Sequence, residues 1–413
     1  MNDKQSKGDT SVNALYSVLK FKTPRQTPTI DFSSGIRPRI FRLKSKVTMS
    51  RFVSCAALFL SSAAAPADDL RLNQIQVIGT HNSYHIAPAP AVKALLDSLR
   101  KGWVEQIDYT HRPLTEQFEK LGIRQVELDV FADPKGGLFA SPQGRKMAAE
   151  KGDIGPDPNA NGVLTKPGFK VFHVQDLDYR STVTTFAAGL AEIRAWSKAN
   201  PKHVPILIHV ELKDSAIPGL PTKPIPYDAA LLDGIDAEIR TAFKAESIIT
   251  PDTIRGSATT LKEAVTNNGW PTLNASRGKV LFLLDNEGKI GELYRKDRPS
   301  LKGRAMFALC PEDDPAAAML KLNDPIKEFE RIQRLVKAGF MVRTRADADM
   351  VEARKNDTSR RDKALASGAQ FVSTDFPEAR KDISEYVVRL PGGEVARVNP
   401  VSGPKGFAGE VEK

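Results

Sequence analysis

The sequence predicts a protein of the α/β class, a closed (β/α)8 barrel (TIM barrel) built as a single domain. Short apolar runs alternate along the chain with segments of helical apolar spacing, which indicates a mainly parallel sheet. Eight such runs occur, and together with their helices they span roughly 300 residues, within the range for one barrel. Many of the runs turn polar at their C-terminal ends, and active sites lie at that edge of such barrels.

The predicted strands are runs of five to nine residues with a high content of apolar side chains. In chain order they cover residues 74–79, 124–131, 170–174, 204–212, 279–285, 304–309, 340–345 and 370–375. Helical spacing is clearest over residues 186–199, 227–243 and 325–337, and Asn323 or Asp324 can cap the last of these. This alternation is the connectivity of a parallel barrel.

The N-terminal region is expected to lie outside the folded domain. From Met49 the sequence reads MSRFVSCAALFLSSAAAPADD, in which a basic residue, an apolar run and small residues precede two acids. This pattern is typical of a secretory signal peptide, so we predict a signal peptide over residues 49–67 and a secreted or periplasmic protein. Residues 1–48 are then a non-native or disordered extension. The alternative is a genuine basic tail followed by an apolar anchor.

The remaining chain divides into a barrel domain over residues 68–390 and a C-terminal tail over residues 391–413. After Tyr386 the sequence VVRLPGGEVARVNPVSGP predicts a short hairpin followed by a disordered end. The loop over residues 133–168 is long and rich in Gly and Pro, so we expect it to form one wall of the active-site cleft. The alternative is that its acidic residues are simply solvated.

Charge and cysteine content exclude two classes of function. Of the net charge of +10, the first 67 residues carry +8, so the folded part has no basic stripe and no nucleic-acid partner is expected. Cys55 leaves with the signal peptide, and Cys310 then has no partner for a disulfide. Because Cys310 ends an apolar run, we interpret it as a buried structural residue and not a nucleophile. We expect a monomer held together by its core.

Four oxygen-bearing side chains at the ends of predicted strands suggest a divalent cation. Glu127 and Asp129 are two residues apart and therefore point to one face of their strand, and Glu211 ends the fourth run. Two carboxylates about 4 Å apart repel by about 4 kcal/mol at an effective dielectric constant near 20, which a cation offsets. With Asn82, these ligands favour Ca²⁺ or Mg²⁺ over Zn²⁺, and export favours Ca²⁺. The alternative for the Glu-x-Asp pair alone is a solvated strand end.

Two histidines at strand ends suggest phosphoryl transfer. His81 follows the first run in VIGTHNSYH and His173 ends the third in FKVFHV. Beside a metal ion, one imidazole can protonate a leaving oxygen while the other stabilises charge on phosphorus. We interpret His203 as structural and His209, two residues before Glu211, as a residue that supports Glu211.

VIGTHNSYH, QVELDVF, FKVFHV and HVELKD resemble the catalytic segments of phosphatidylinositol-specific phospholipase C. The pattern is most similar to the calcium-dependent type, which includes a bacterial and fungal branch. The similarity covers about residues 70–390 and extends to VRTRAD and STDFP. The resemblance implies the phospholipase C-like phosphodiesterase form of the TIM barrel. It also implies an enzyme that cleaves phosphatidylinositol-type lipids to diacylglycerol and inositol phosphate.

The resemblance further implies a role for each matching residue. The implied Ca²⁺ ligands are Asn82, Glu127, Asp129 and Glu211. Glu127 also helps to deprotonate the inositol 2-hydroxyl, His173 protonates the diacylglycerol oxygen and His81 stabilises the transition state. The implied partners are a phospholipid headgroup and, transiently, a membrane surface. Lys213, Arg343 and Arg345 are candidates to bind phosphate or inositol hydroxyls, the alternative for the arginines being a salt bridge to Asp347 or Asp375.

Two other functions are weighed against this one. A glycerophosphodiester phosphodiesterase shares the barrel but begins with His-Arg-Gly, where this chain has His81-Asn82-Ser83. It also shows His-Asp where this chain has His173-Val174. A non-catalytic lipid- or glycan-binding barrel predicts the loss of a site residue, and none is lost. Calcium-independent phospholipases of this kind carry a basic residue in place of the metal ion. This chain has the Glu-x-Asp pair intact, so its pattern fits the calcium-dependent type better.

Overall fold

Eight parallel strands form a nearly closed barrel in the structure, which is a computed structural model describing residues 70–407 and 409–412. The predictions for residues 1–48 and 49–67 fall outside this range. The strands are β1 Ile75–Thr80, β2 Gln125–Asp133, β3 Gly168–Val171, β4 Ile206–Leu212, β5 Val280–Leu284, β6 Phe307–Ala308, β7 Met319–Lys321, β8 Met341–Arg345, β9 Phe371–Thr374 and β10 Ala396–Val398. Around the barrel the order is β6-β5-β4-β2-β1-β9-β8-β7, and no ladder of described residues joins β6 to β7.

The prediction that the third apolar run forms a parallel strand of the barrel is wrong. Residues 170–174 were expected to run parallel with the others, but β3 pairs antiparallel with β2, Val130 lying opposite Val171. Because β2 is nine residues long, its outer end offers backbone groups on which the returning chain can pair. The eighth parallel strand is β7, which the prediction missed because three residues are too few to show a pattern.

Helices connect the strands on the outside of the barrel. Their bounds are α1 Pro90–Leu99, α2 Val104–Ile107, α3 Leu114–Lys120, α4 Gln143–Ala148, α5 Phe186–Ala199, α6 Ala229–Ala242, α7 Pro251–Arg255, α8 Leu261–Thr266, α9 Leu273–Ser276, α10 Gly288–Arg295, α11 Phe329–Lys337, α12 Val351–Lys355 and α13 Ser359–Ala366. The predicted helix over residues 186–199 is confirmed as α5. The predicted helix over residues 325–337 begins later, because Asp324 first caps a separate turn by accepting hydrogen bonds from Ile326 and Lys327.

The hydrophobic core lies between the strands and the outer helices, and every residue of β5 is buried in it. A second, smaller core lies beside the barrel mouth, where α1 and α4 pack together with Leu177 and Leu220. We call α1, α4 and residues 213–222 the cap. The predicted burial of Cys310 is confirmed, and burial raises the pKa of its thiol to about 12, so the thiolate is not formed at neutral pH.

The C-terminal segment packs against the barrel over residues 391–407 and 409–412, where a disordered end was expected. Strand β10 pairs antiparallel with β1, placing Ala396 opposite Val77. Glu412 then forms an ion pair with the buried Arg124 and accepts a hydrogen bond from the Val204 amide at 2.6 Å. A buried guanidinium needs such a counter-ion, which explains why this segment packs against the barrel. Within the described residues, no helix has the length and apolarity required to cross a bilayer.

Candidate active site

Strand register brings the predicted site residues together at the C-terminal mouth of the barrel. Strands β1 and β9 pair Thr80 with Thr374, so the next residues, His81 and Asp375, become neighbours. Strands β2 and β4 pair Asp129 with Glu211, which places two predicted metal ligands side by side. The site therefore depends on strand order around the barrel and not on order along the chain.

His81 is held at one ring nitrogen and faces a carboxylate with the other. Its Nδ1 lies 2.9 Å from Asp375 Oδ1, and its Nε2 lies 3.7 Å from Glu127 Oε1. Burial, followed by Arg345, holds the pKa of His81 well below its usual value, although Asp375 opposes this. The ring is therefore neutral at pH 7. Since the carboxylate of Asp375 accepts the Nδ1 proton, Nε2 is free to exchange a proton at the mouth.

His173 has a similar arrangement, which the sequence did not reveal. Its Nδ1 lies 2.8 Å from Asp178 Oδ2, and the same oxygen lies 2.9 Å from Nε2 of the buried His85. His85 Nδ1 lies 3.0 Å from the carbonyl oxygen of Tyr109. Both ring nitrogens of His85 therefore face hydrogen-bond acceptors. Despite burial, hydrogen bonds and charge from His85 and His173 hold the pKa of Asp178 below its usual range.

Carboxylates crowd the centre of the mouth. One oxygen each from Glu127, Glu211 and Asp285 lies within 4.8 Å of the others. Burial, with a contribution from Asp285, raises the pKa of Glu127 to about 7 against the opposing charge of Arg343. The sequence did not assign Asp285 as a ligand, although it ends a strand in the same way as Glu211. This concentration of carboxylates is the environment that a divalent cation stabilises.

Asn82 adds an oxygen that lacks a partner. It adopts a left-handed conformation with φ of 44°, and its Nδ2 donates a hydrogen bond to Tyr109 Oη at 3.1 Å. Its buried Oδ1 accepts no hydrogen bond from any described residue. Leaving a buried acceptor unsatisfied costs about 1–3 kcal/mol, so an ion at this oxygen would remove a penalty. The residues present therefore fit a hard cation such as Ca²⁺.

A short polar bridge fixes the Asn82 turn against β2. The Ser83 amide donates to the Glu127 carbonyl oxygen at 3.0 Å, and Ser83 Oγ accepts from the Glu127 amide at 2.8 Å. Gly79 allows this close approach, because a Cβ at that position would lie 2.0 Å from Gln125 Oε1. The position of Asn82 relative to Glu127 is consequently fixed by these backbone contacts.

The three cations predicted to bind substrate are all paired with carboxylates of the site. Lys213 Nζ lies 3.0 Å from Asp129 Oδ2 and 3.0 Å from Glu211 Oε1. Arg343 Nη2 lies 2.6 Å from Glu127 Oε2. Arg345 Nη2 lies 2.7 Å from Asp375 Oδ2, which is the salt bridge weighed as the alternative for this residue. Binding of substrate by these side chains stays a prediction.

Residues 70–400 match the protein family described as phosphoinositide phospholipase C, Ca²⁺-dependent. No curated protein matches the chain. Among solved structures, a calcium-dependent phosphoinositol-specific phospholipase C from a Gram-negative Pseudomonas species is 15% identical, with a TM-score of 0.48, over 81% of this chain and 98% of that one. A Ca²⁺-dependent phosphatidylinositol-specific phospholipase C from Streptomyces antibioticus is 17% identical, with a TM-score of 0.43, over 75% of this chain and 95% of that one. A glycerophosphoryl diester phosphodiesterase from Parabacteroides distasonis is 10% identical, with a TM-score of 0.29, over 80% of this chain and 94% of that one.

Proposed function

Because the chain belongs to the Ca²⁺-dependent phosphoinositide phospholipase C family, we propose that it cleaves phosphatidylinositol-type lipids to diacylglycerol and inositol phosphate. One observation carries the proposal. Two histidines at the mouth each have Nδ1 held by an aspartate, His81 at 2.9 Å and His173 at 2.8 Å. Both Nε2 atoms remain free for proton transfer beside a cluster of carboxylates, which is an arrangement suited to metal-assisted phosphoryl transfer.

The candidate Ca²⁺ site is formed by Asn82, Glu127, Asp129 and Glu211, and Asp285 contributes a further carboxylate at the same place. A bound cation supplies positive charge that lowers the pKa of a substrate hydroxyl. The pairing of Lys213 with Asp129 and Glu211 shows that these two carboxylates already attract positive charge. Ca²⁺ is favoured over Mg²⁺ because the oxygen donors are numerous and an exported protein meets Ca²⁺ in abundance.

The proposed reaction moves two protons. Glu127 takes the proton of the inositol 2-hydroxyl, whose oxygen forms a bond to phosphorus. As the bond from phosphorus to the glycerol oxygen breaks, protonated His173 gives its Nε2 proton to that oxygen, while Asp178 stabilises the imidazolium. His81 is neutral until the negative phosphodiester enters, which favours its protonated form and a hydrogen bond to a phosphoryl oxygen.

The first experiment measures release of water-soluble inositol phosphate from phosphatidylinositol vesicles, with Ca²⁺ and then with a chelator. We expect release that the chelator stops. Glu127→Gln should lower turnover at least about 100-fold, because the proton acceptor and a cation ligand are both lost, and calorimetry should show weaker Ca²⁺ binding. Glu119→Gln, an exposed change outside the mouth, is the control. Cleavage of glycerophosphodiesters without release of inositol phosphate would support the glycerophosphodiesterase alternative.

Transient contact with a membrane is part of the proposal. Ile326 and Val351 are 55% and 46% exposed. Ile326 lies in the loop that follows β7, and Val351 comes directly after the loop that follows β8, as the first residue of α12. Arg360 holds these loops side by side by donating hydrogen bonds to the carbonyl oxygens of Asn323 and Arg345. Apolar side chains on the rim through which a lipid headgroup enters fit a bilayer surface.

Partition onto phosphatidylinositol vesicles tests this contact. The double variant Ile326→Ser and Val351→Ser should sediment with vesicles several-fold less than the parent, because it loses apolar area that enters the interface. Ala245→Ser, an exposed change between α6 and β5 at the opposite end of the barrel, is the control. Equal sedimentation of the double variant and the parent would place the membrane contact elsewhere.

Export is proposed from the sequence alone, because the signal peptide lies outside the described residues. Mass spectrometry of the protein recovered outside the cytoplasm should give an N-terminus near Pro66 or Asp68. An intact Met1 on that protein would contradict the proposal.

A further inference from the structure

A tight turn over residues 174–178 carries His173 at one end and its partner carboxylate at the other. The Val174 amide donates to the Asp178 carbonyl oxygen at 3.0 Å, and the Asp178 amide donates to the Val174 carbonyl oxygen at 3.0 Å. The Asp178 side chain then holds His173 Nδ1 at 2.8 Å. Because both residues belong to one hydrogen-bonded unit, the orientation of the turn sets the orientation of the imidazole.

Asp176 lies at the tip of this turn and is bound by the cap. It is 4% exposed and adopts a left-handed conformation with φ of 66°. Its Oδ1 accepts hydrogen bonds from the Gln143 amide at 3.0 Å and from Thr222 Oγ1 at 2.8 Å. Its Oδ2 accepts from the Thr222 amide at 3.0 Å. One carboxylate therefore joins the start of α4 to residues 213–222.

The backbone of Asp176 is fixed by the same helix. The Gly144 amide donates to the Asp176 carbonyl oxygen at 2.8 Å. A Cβ at position 144 would lie 2.6 Å from that oxygen, so glycine is required for the approach. Beside it, Gln175 Nε2 donates to the Ser215 carbonyl oxygen at 3.2 Å. The turn is thus attached to α4 and to residues 213–222 of the cap, through residues that take no part in the proposed reaction.

We infer that Asp176 is a positioning residue for His173: by binding the cap, its carboxylate holds the turn so that His173 Nε2 faces the leaving oxygen. This inference rests on the proposed function, in which His173 protonates that oxygen. The cap core explains how the attachment stays rigid, since Leu177 and Leu220, each next to the contacts, are buried in it. Asp176 touches neither substrate nor cation in this role.

The inference predicts a specific dependence on the leaving group. Phosphatidylinositol releases an alkoxide that needs a proton, so its cleavage depends on a correctly placed His173. A nitrophenyl ester of myo-inositol phosphate releases nitrophenolate, which leaves without a proton. A change that misplaces only the acid should therefore slow the lipid and leave the nitrophenyl ester nearly unaffected.

The experiment compares kcat for both substrates in Asp176→Ala, His173→Ala and the double variant. Asp176→Ala should lower kcat on the lipid about tenfold, and His173→Ala about 100-fold or more, with much smaller losses on the nitrophenyl ester. In the double variant, loss of Asp176 should add no further loss on the lipid, because its effect passes through His173. Asp157→Ala, which removes a local turn contact between α4 and β3, is the matched control.

Two results would overturn the inference. Equal losses on both substrates in Asp176→Ala, or a further loss when it is combined with His173→Ala, would give Asp176 a general structural role only. An unchanged lipid rate in His173→Ala would instead remove the acid role of His173, and the inference would fall with that part of the proposed function. If Asp176→Ala does not fold, Thr222→Val removes only the 2.8 Å bond to Oδ1 and should show the same selectivity with a smaller loss.

Discussion

Lys213 places a positive charge where the proposed function requires a cation. Its ammonium group lies between Asp129 and Glu211, at 3.0 Å from an oxygen of each. The two carboxylates hold the pKa of Lys213 above its usual value despite burial, so the side chain is charged at neutral pH. A divalent cation bound by the same oxygens must share them with this ammonium group.

Removing that charge should strengthen cation binding. Lys213→Met retains most of the side-chain volume and removes the repulsion between the ammonium group and the ion, so we expect Ca²⁺ affinity to rise about tenfold, on the scale of a pair interaction in a partly solvated site. Isothermal titration calorimetry measures this without reference to activity. Lys223→Met, at an exposed position, is the control. A fall in affinity would show instead that Lys213 holds the ligands in place.

Asp347 is a buried carboxyl group behind His81 that should make stability depend on pH. Its Oδ1 accepts a hydrogen bond from the Asp375 amide at 2.8 Å, and its Oδ2 is bound by the Thr374 hydroxyl. Burial, with a contribution from Asp375, raises the pKa of Asp347 to about 7 against the charge of Arg345. Between about pH 4 and 7 the folded protein therefore holds a proton that the unfolded chain has released.

The sign of the effect follows from that proton. As pH rises from about 4 to 7, the contribution of Asp347 to the free energy of unfolding should fall by up to about 1.4 kcal/mol per pH unit. Asp347→Asn should remove this dependence, since an amide does not titrate. Urea unfolding at several pH values measures it, with the exposed Asp97→Asn as control. An identical slope in Asp347→Asn and the parent protein would show that Asp347 is ionised in the folded state.

Individual site residues were predictable where strand ends reveal them. His81 follows an apolar run, Glu127 and Glu211 are acidic residues within such runs, and barrel topology brings these strands together. Their partners were not predictable, because Asp375 reaches His81 only through the pairing of β1 with β9. The role of Asp178 depends on a turn that the sequence does not distinguish from an acidic loop.

At the scale of secondary-structure elements, β10 and the segment after it close one side of the barrel. The segment ends on Glu412, which neutralises Arg124, a side chain only 4% exposed. Arg124 also donates hydrogen bonds to the carbonyl oxygens of Phe118 and Ile123 and stacks over Trp196. The guanidinium group cannot move out to water without breaking these contacts.

Removing the carboxylate should therefore be costly. Glu412→Ala leaves a buried charge and the Val204 amide without their acceptor, so we expect the free energy of unfolding to fall by about 3 kcal/mol. Urea denaturation measures the change. Lys405→Ala, an exposed change in the same segment, should have no effect beyond about 0.5 kcal/mol. A similarly small effect of Glu412→Ala would show that the segment contributes little to stability.

Elements with a long, regular pattern were predicted well, and short or irregular ones were not. Helix α5 has the predicted bounds because its apolar spacing is regular and Thr185 caps it. Strand β7 was missed because three residues are too few for a period to appear, and β6 covers only two residues of the run predicted over 304–309. Strand β3 was placed in the wrong direction, because an apolar run carries no information about whether it pairs parallel or antiparallel.

For the whole molecule, the class of fold follows from alternation of strands and helices, whereas closure depends on pairing between strands. The ladders join seven of the eight neighbouring pairs around the barrel, and the described residues of β6 and β7 form no ladder. The chain crosses this gap through residues 309–318, in which Asp313 is exposed while residues 316–318 are buried. The two sides of the gap are thus held by packing and by the connecting chain.

The unpaired seam makes this barrel a candidate for fragment complementation. A chain divided after Asp313 gives one piece with β1 to β6 and another with β7 to β10, and the ladders of β1 with β9 and β10 remain available to rejoin them. The first piece carries both histidines and the metal ligands, and the second carries Arg343, Arg345 and Asp375. Co-expressed pieces should therefore recover lipid cleavage that neither has alone. Division after Asn200, between α5 and β4, opens the ladder of β2 with β4 as well as that of β1 with β9. Each separate piece then has two unpaired strand edges, which favour aggregation, so we expect that cut to reassemble far less well.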